Sequence, residues 1–271
     1  MDRSSHSFGY IILSFPGLIL AAWIGAVFSS LWLPLQPDQI HLPFILKPPG
    51  SAVWFGFDDL GRPVFDRLLV GAKTSFIVSF SVVIVTAVIG VVVGAYSAWR
   101  GGWLDHVIVR VMDIVLAFPG ILLAIALAGM LGPGLGNVIM ALSCVGWVGF
   151  ARLTRAQVLS LKHADHVSAA LALGVSDTRI VFKHLLPLAM APIIVEATFG
   201  VAGTVIAEAG LSFLGLGVQP PAASWGNMIR DGVRYMLIAP HMVVIPGLAL
   251  CLVVLAVNLL GDRIRDILHV R

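Results

Sequence analysis

Three groups of residues in this 271-residue chain have types and spacings that could do chemistry. His163, Asp165 and His166 lie close enough together to offer metal ligands. Two histidines three apart beside an aspartate suit the solvated start of a helix better, and no metal site is expected. Gly71-Ala72-Lys73-Thr74 is the nearest approach to a phosphate-binding loop. It lacks the Gly-Lys pair and the upstream glycine that let backbone N–H groups close around a phosphate. Neither an HExxH zinc motif nor a G-x-S-x-G nucleophile elbow is present. The chain is therefore expected to catalyse nothing, to bind no cofactor and to leave any ATP hydrolysis to another polypeptide.

The third group is acidic and lies in apolar surroundings. Asp113, Glu196 and Glu208 each interrupt a long hydrophobic run. An ionised carboxylate in hydrocarbon is costly, so such residues either pair within the protein or serve a pathway. Asp113 has Arg110 three residues before it, and the expectation is an ion pair between them. Glu196, near the middle of its run, and Glu208, near its end, are candidates for contact with a transported solute or with a partner helix.

These runs dominate the chain. It is 59% hydrophobic and 11% charged, with a mean hydropathy of +0.99. A soluble domain carries about 25% charged residues, so most of this surface must face lipid. The net charge of +3 does not indicate nucleic acid, because the 17 basic residues are scattered between apolar runs. Cys144 and Cys251 both lie inside such runs and behave as small hydrophobes.

A membrane-crossing helix needs about 20 mostly apolar residues. Six stretches qualify: Tyr10–Leu33, Ser75–Ala98, Val109–Leu131, Asn137–Leu153, Leu188–Glu208 and Ala239–Leu260. The first is too long for a signal-peptide core and reads as an uncleaved span. Six spans put both termini on one side. With the termini inside, eleven of the 17 Lys and Arg residues face the cytoplasm, among them Arg3, Arg271 and five around the loop Thr154–Pro187. The six outside are Lys47, Arg62, Arg67, Lys73, Arg230 and Arg234. Positive residues favour the cytoplasmic side, so both termini are expected there. Two long outer loops follow, Pro34–Thr74 and Ala209–Ile238, with one long inner loop.

That inner loop carries the most specific pattern. In Asp165–Pro187, Val167, Ala170, Leu171 and Gly174 repeat at helical spacing. Gly174 ends this helix, and Ser176 can cap a second one from Asp177 to about Leu186, with a stripe of Ile180, His184 and Leu185. Pro187 then opens the fifth span. The product is a helix–Gly–helix unit whose small residues permit close approach by another protein.

This loop resembles the "EAA" signature of type I ATP-binding-cassette (ABC) importer permeases at Ala169, Ala170, Gly174, Leu186 and Pro187, with Ser168 where the family usually has Glu. Four further blocks resemble the dipeptide, oligopeptide and nickel branch, in the same order and spacing. They are Trp54–Arg62; Arg110–Asp113 with Phe118-Pro119; Glu208–Pro221 with Ser224-Trp225-Gly226; and Asn258–Asp262 with Arg265-Asp266.

The resemblance implies an all-α, six-span type I importer domain. Residues 1–70 would hold the first span and outer loop, 71–261 the transmembrane domain with its coupling loop 154–187, and 262–271 a short cytoplasmic tail. In the family this loop forms coupling helices that seat in an ATPase groove, so Ala169, Ala170, Gly174, Asp177, Arg179, Leu186 and Pro187 are the expected coupling residues. The fifth span, with Glu196 and Glu208, would line the pathway. Gly210, Ser212, Gly215, Gly217 and Trp225 would belong to an outer gate or receptor-docking surface. The implied partners are a second homologous permease, two ATPase subunits using ATP and Mg, and an extracytoplasmic binding protein, assembled in a bacterial cytoplasmic membrane. Di- or oligopeptides are the favoured substrates and nickel or a metal chelate the alternative. A secondary transporter is the rival from another class, but the chain shows no clear internal repeat and only three spaced carboxylates for a proton relay.

Overall fold

The computed structural model describes residues 15–51 and 53–269. The expected start of the first span at Tyr10, and Arg3 and Arg271 of the charge argument, lie outside the described residues. Within them the chain is helical apart from turns and two isolated bridges, Gly50 with Val53 and Phe57 with Pro63. Helix α1 is Phe15–Trp32, α2 Val64–Arg100, α3 Gly102–Leu116 and α4 Gly120–Leu131. Next come α5 Leu135–Leu161, α6 Asp165–Ala172, α7 Asp177–Ile180, α8 Leu186–Phe213, α9 Trp225–Val233 and α10 His241–His269. Helices satisfy their own backbone polar groups, as a chain facing hydrocarbon requires.

Five stretches are long and apolar enough to cross a membrane, and a sixth is added if α3 and α4 count as one. That pair corrects the expectation of a straight third span over Val109–Leu131. It is bent by 85° between Leu116 and Gly120, where Pro119 disfavours helical geometry at Phe118 before it.

The other helices overrun their apolar runs. Helix α2 begins at Val64, so Val64–Thr74 is helix rather than loop, and its 37 residues reach about 55 Å. Helix α5 continues to Leu161, and α8 runs past Glu208 to Phe213. Apolarity marks the part of a helix inside the bilayer; the helix itself continues wherever other packing supports it. Residues 70 and 261 both lie inside helices, α2 and α10, so no backbone break coincides with either expected boundary.

Helix α2 is the central post. Along its middle it packs with α1, α8 and α10 around Trp23, Val83, Val201, Val205 and Val257. At one end Ala95, Ala98 and Trp99 pack against the 154–187 segment. Towards the other, Val78 and Val82 pack against α4, α5 and Leu211. Its closest neighbour is α5. A Cβ at Gly90 would lie 2.5 Å from both Phe150 Cβ and Trp147 O, and one at Gly94 would strike the Ala151 carbonyl. The Gly-x-x-x-Gly spacing lets the two backbones touch.

The segment between α1 and α2 folds over the end opposite the 154–187 segment, around buried charges. Arg62 Nε donates to Asp58 Oδ2 at 2.6 Å, and Arg67 Nε lies 3.5 Å from the same oxygen. Arg67 also donates to the carbonyls of Pro37 and Pro221, each at 3.3 Å. His241, at the start of α10, contacts Phe57 O at 3.0 Å. Asp59 is held above the usual aspartate range by its burial and by the adjacent Asp58 carboxylate, against the pull of Arg62. The segment is thereby stitched to α2, α10 and the loop before α9.

Candidate functional site

The 154–187 segment, the expected coupling loop, is built outward from a buried base. Val167 and Ala170 of α6 join Ile180, Val181 and Leu185 in a core against Ala95, Ala98, Trp99 and Val158. Ala170 is only 6% exposed and Leu186 is also buried. Both therefore hold the loop onto the bundle. The outward face of α6 comprises Ser168, Ala169, Leu171 and Ala172, and it ends at Leu173, which is 83% exposed. Sequence reading passed over Leu173; an apolar residue just before the helix-ending glycine was the available signal.

Gly174 closes α6 with a left-handed φ of +74°. Val175 N–H donates to Ala170 O at 3.1 Å and Gly174 N–H to Leu171 O at 3.0 Å, the two bonds of a Schellman cap. Val175 packs into the buried base beside Ala170. A Cβ at Gly174 would meet nothing within 4 Å, so its backbone angle, rather than lack of room, requires glycine.

The second half of the loop differs from the expected separate helix. Helix α7 covers only Asp177–Ile180, and Ser176 occupies its N-cap position without a side-chain hydrogen bond. Backbone N–H of Ile180 instead donates to Ser176 O at 3.0 Å. A π-helical turn, Val181–Leu185, then leads directly into α8. Asp177–Phe213 is thus a single helical rod of 37 residues. Pro187 lies in the first turn of α8, just past the widened turn, where its missing N–H costs no regular α-helical bond. Asp177 and Arg179 are exposed at the start of the rod.

Two further ties join the loop to the bundle. Lys162 donates to the carbonyls of Ala98 and Trp99, at 3.2 and 2.7 Å, capping the end of α2. Arg155 grips Asp105 through two hydrogen bonds of 2.7 and 2.6 Å, and Ser97 donates to the same carboxylate. No ion pair joins Arg110 and Asp113 among the described residues; Asp113 is exposed beside a cavity that Arg152 and Arg155 also line. The expected pair is replaced by one across helices, 50 residues apart, which local spacing cannot reveal.

The two carboxylates of α8 have different settings. Glu208 is 1% exposed and accepts hydrogen bonds from Ser212 at 2.8 Å and Ser75 at 3.1 Å. Each of its oxygens accepts a hydrogen bond from within the chain. Glu196 is partly exposed and lines two cavities on the face of α8.

The segment after α8 is tightly built. Trp225 is 2% exposed and donates to Leu68 O at 3.0 Å, so it anchors α9 to α2 rather than presenting an outer surface. Ser224 and Asn227 form a reciprocal capping box at the start of α9. Ser212 and Gly217 are buried against one another, Gly215 is half-buried, and Gly210 is exposed on α8.

Comparison with known proteins bears on the whole arrangement. Residues 90–271 match the family model described as "Binding-protein-dependent transport system inner membrane component". The chain is 40% identical over 258 residues to the dipeptide transport system permease protein DppC of Alkalihalophilus pseudofirmus, covering 95% of this chain and 83% of that protein. It is 44% identical over 259 residues to the glutathione transport system permease protein GsiD of an Escherichia coli O6:K15:H31 strain, covering 96% and 83%. Among solved structures, the inward-facing MetNI methionine ABC transporter superimposes with a TM-score of 0.61 at 22% identity. That match covers 74% of this chain and 96% of the other, and it supports the fold. A chain with this bundle, this projecting loop and these relatives belongs to the family of binding-protein-dependent transport-system inner-membrane components, the permease subunits of ABC importers.

Proposed function

We propose that this permease forms half of the translocation pathway of a di- or oligopeptide importer in a bacterial cytoplasmic membrane. A second homologous permease supplies the other half, two ATPase subunits drive it, and an extracytoplasmic binding protein delivers substrate. Both termini and the docking loop face the cytoplasm, and ATP and Mg are used by the partners alone. The dipeptide and glutathione permeases among the relatives favour a peptide over nickel.

One observation carries the coupling: the exposed α6 tip is joined, across the short Gly174 cap, to the Asp177–Phe213 rod that bears Glu196. Asp177 to Glu196 spans about 29 Å of helix. An ATPase gripping Ala169, Leu173 and Arg179 moves that rod from its end, with Ala170, Leu186 and Pro187 keeping the loop seated. The segment from Gly210 to Trp225 braces the outer gate. A cysteine at Leu173 should crosslink to the ATPase, and uptake should stop on ATP depletion but survive collapse of the ion gradient. Uptake that follows the gradient, or a complex with no ATPase, would overturn the reading.

Gly174 offers a graded test. Alanine there costs about 1–2 kcal/mol because of the left-handed angle, and asparagine costs less because it tolerates that angle. The expected order of transport per ATP hydrolysed is Gly, then Asn, then Ala, with membrane insertion unchanged in all three. An order that followed side-chain volume would show that contact with the ATPase, rather than the cap, sets the requirement.

A further inference from the structure

Two cavities open along α8. The outer one, about 270 Å³, lies between α2, α4, α5 and α8; the inner one, about 410 Å³, lies between α5, α8 and the end of α10. Glu196 is the one residue that lines both. Among the described residues it is also the only ionisable one lining the outer cavity. Two threonines line the outer cavity; Thr86 donates to the Val82 and Val83 carbonyls of its own helix, and Thr204, the other, carries no charge. Arg265, which lines the inner cavity, is paired with Asp262 at 3.0 Å.

The carboxylate leans towards α5 at a point where that helix has no side chain. A Cβ built on Gly149 would lie 3.1 Å from Glu196 Oε1. No described residue donates a hydrogen bond to Glu196 or forms an ion pair with it. A charge in apolar surroundings requires a counter-charge or water, and among the described residues the nearest candidate, Arg265 in the inner cavity, is paired with Asp262 instead.

We infer that Glu196 is a cation-recognition point of the pathway, receiving the ammonium group of a peptide as it crosses from the outer cavity to the inner one. The inference rests on the permease reading above and adds a chemical requirement to it. A peptide's amino group brings a positive charge and N–H donors to an acceptor that has neither. The apolar walls around the site weaken screening and strengthen the contact.

The test uses the full complex in liposomes, with Cys144→Ser, Cys251→Ser and a Gln157→Cys reporter on the inner-cavity wall. The reporter is labelled with cationic and anionic thiosulfonates of matched size. With Glu196 present, the cationic reagent should react about tenfold faster, as focused charge in a cleft permits; E196Q should bring the ratio close to one. Alanyl-alanine should protect the reporter better than its N-acetyl form, and E196Q should abolish that difference. A ratio unmoved by E196Q, or shifted in favour of the anionic reagent, would mean that a basic group of the second permease already neutralises Glu196, and would overturn the proposal. Equal protection by the free and acetylated peptides would overturn it as well. If the complex without E196Q shows no ATP-dependent peptide uptake, the permease reading for peptides falls, and this inference falls with it.

Discussion

Asp58→Ala is expected to destabilise the protein by about 3–5 kcal/mol, because it leaves two buried guanidinium groups with only the longer contacts of Arg62 to Asp59, at 3.5 Å, and of Arg67 to Asp38, at 3.7 Å. Asp58, Arg62 and Arg67 are all nearly inaccessible to solvent. One Asp58 oxygen serves both arginines, and the other accepts the backbone N–H groups of Leu60 and Arg62 at 3.0 and 2.8 Å. The side chain is thus an ion-pair partner and a turn-former together. Asp58→Asn keeps the shape and one acceptor, and should lose less. Thermal unfolding in detergent, combined with limited proteolysis of residues 36–62, measures both effects. An Asp58→Ala protein that melts with the parent and keeps that segment protected would show that the charges are hydrated and contribute little. The opposite end of the bundle should be less affected, since Lys162 and the Asp105–Arg155 pair secure it independently.

Gly94→Val should be comparably damaging for a different reason. Over-filling a well-packed interior costs about 1–3 kcal/mol where side chains can yield. Here the obstacle is the Ala151 carbonyl, part of the α5 backbone. Relief requires α2 and α5 to separate along their length, which would loosen the packing of Ala151, Val148 and Met112 nearby. Gly90→Val meets Trp147 O and Phe150 Cβ, and should behave alike. Folded yield after solubilisation is the readout. As a control, Gly129→Val adds a side chain where nothing lies within 4 Å of the new Cβ. Equal yields for all three would show that the helices are not in contact through these glycines.

Much of this architecture was legible in composition and periodicity. A chain so poor in charge has to place its apolar runs in lipid, and the runs give the helices' membrane-buried parts directly. Helix ends were less legible, because Val64–Thr74 and Thr154–Leu161 are polar enough to read as loop and are held helical by contacts distant in sequence. The bend at Pro119 was marked by its residue, but its angle depends on what α3 and α4 pack against. At the docking loop, spacing identified α6 and its glycine end. It did not separate Ala170, which faces inward, from Ala169, which faces out; that depends on which side of α6 meets α2. Glu196 and Glu208 looked equivalent as lone acids in one apolar run. Ser75, 133 residues from Glu208, helps make the second a structural residue, and no local pattern announces such a partner. Likewise the Gly90/Gly94 spacing is visible in the sequence, but the helix it faces is not.

The widened turn at Val181–Leu185 has a consequence for how the chain tolerates change in length. Each residue of a helix advances the side-chain direction by about 100°, and a π turn carries one residue more than an α turn. The wider turn absorbs that surplus residue within one revolution, so everything beyond it, Glu196 included, keeps the direction that a regular α turn would give it. Deleting one residue there would leave a regular helix with the carboxylate still on its cavity wall, whereas deleting one between Pro187 and Glu196 would rotate it by about 100° off that wall. Five residues before α8 therefore act as a length buffer for a wall some 20 Å away.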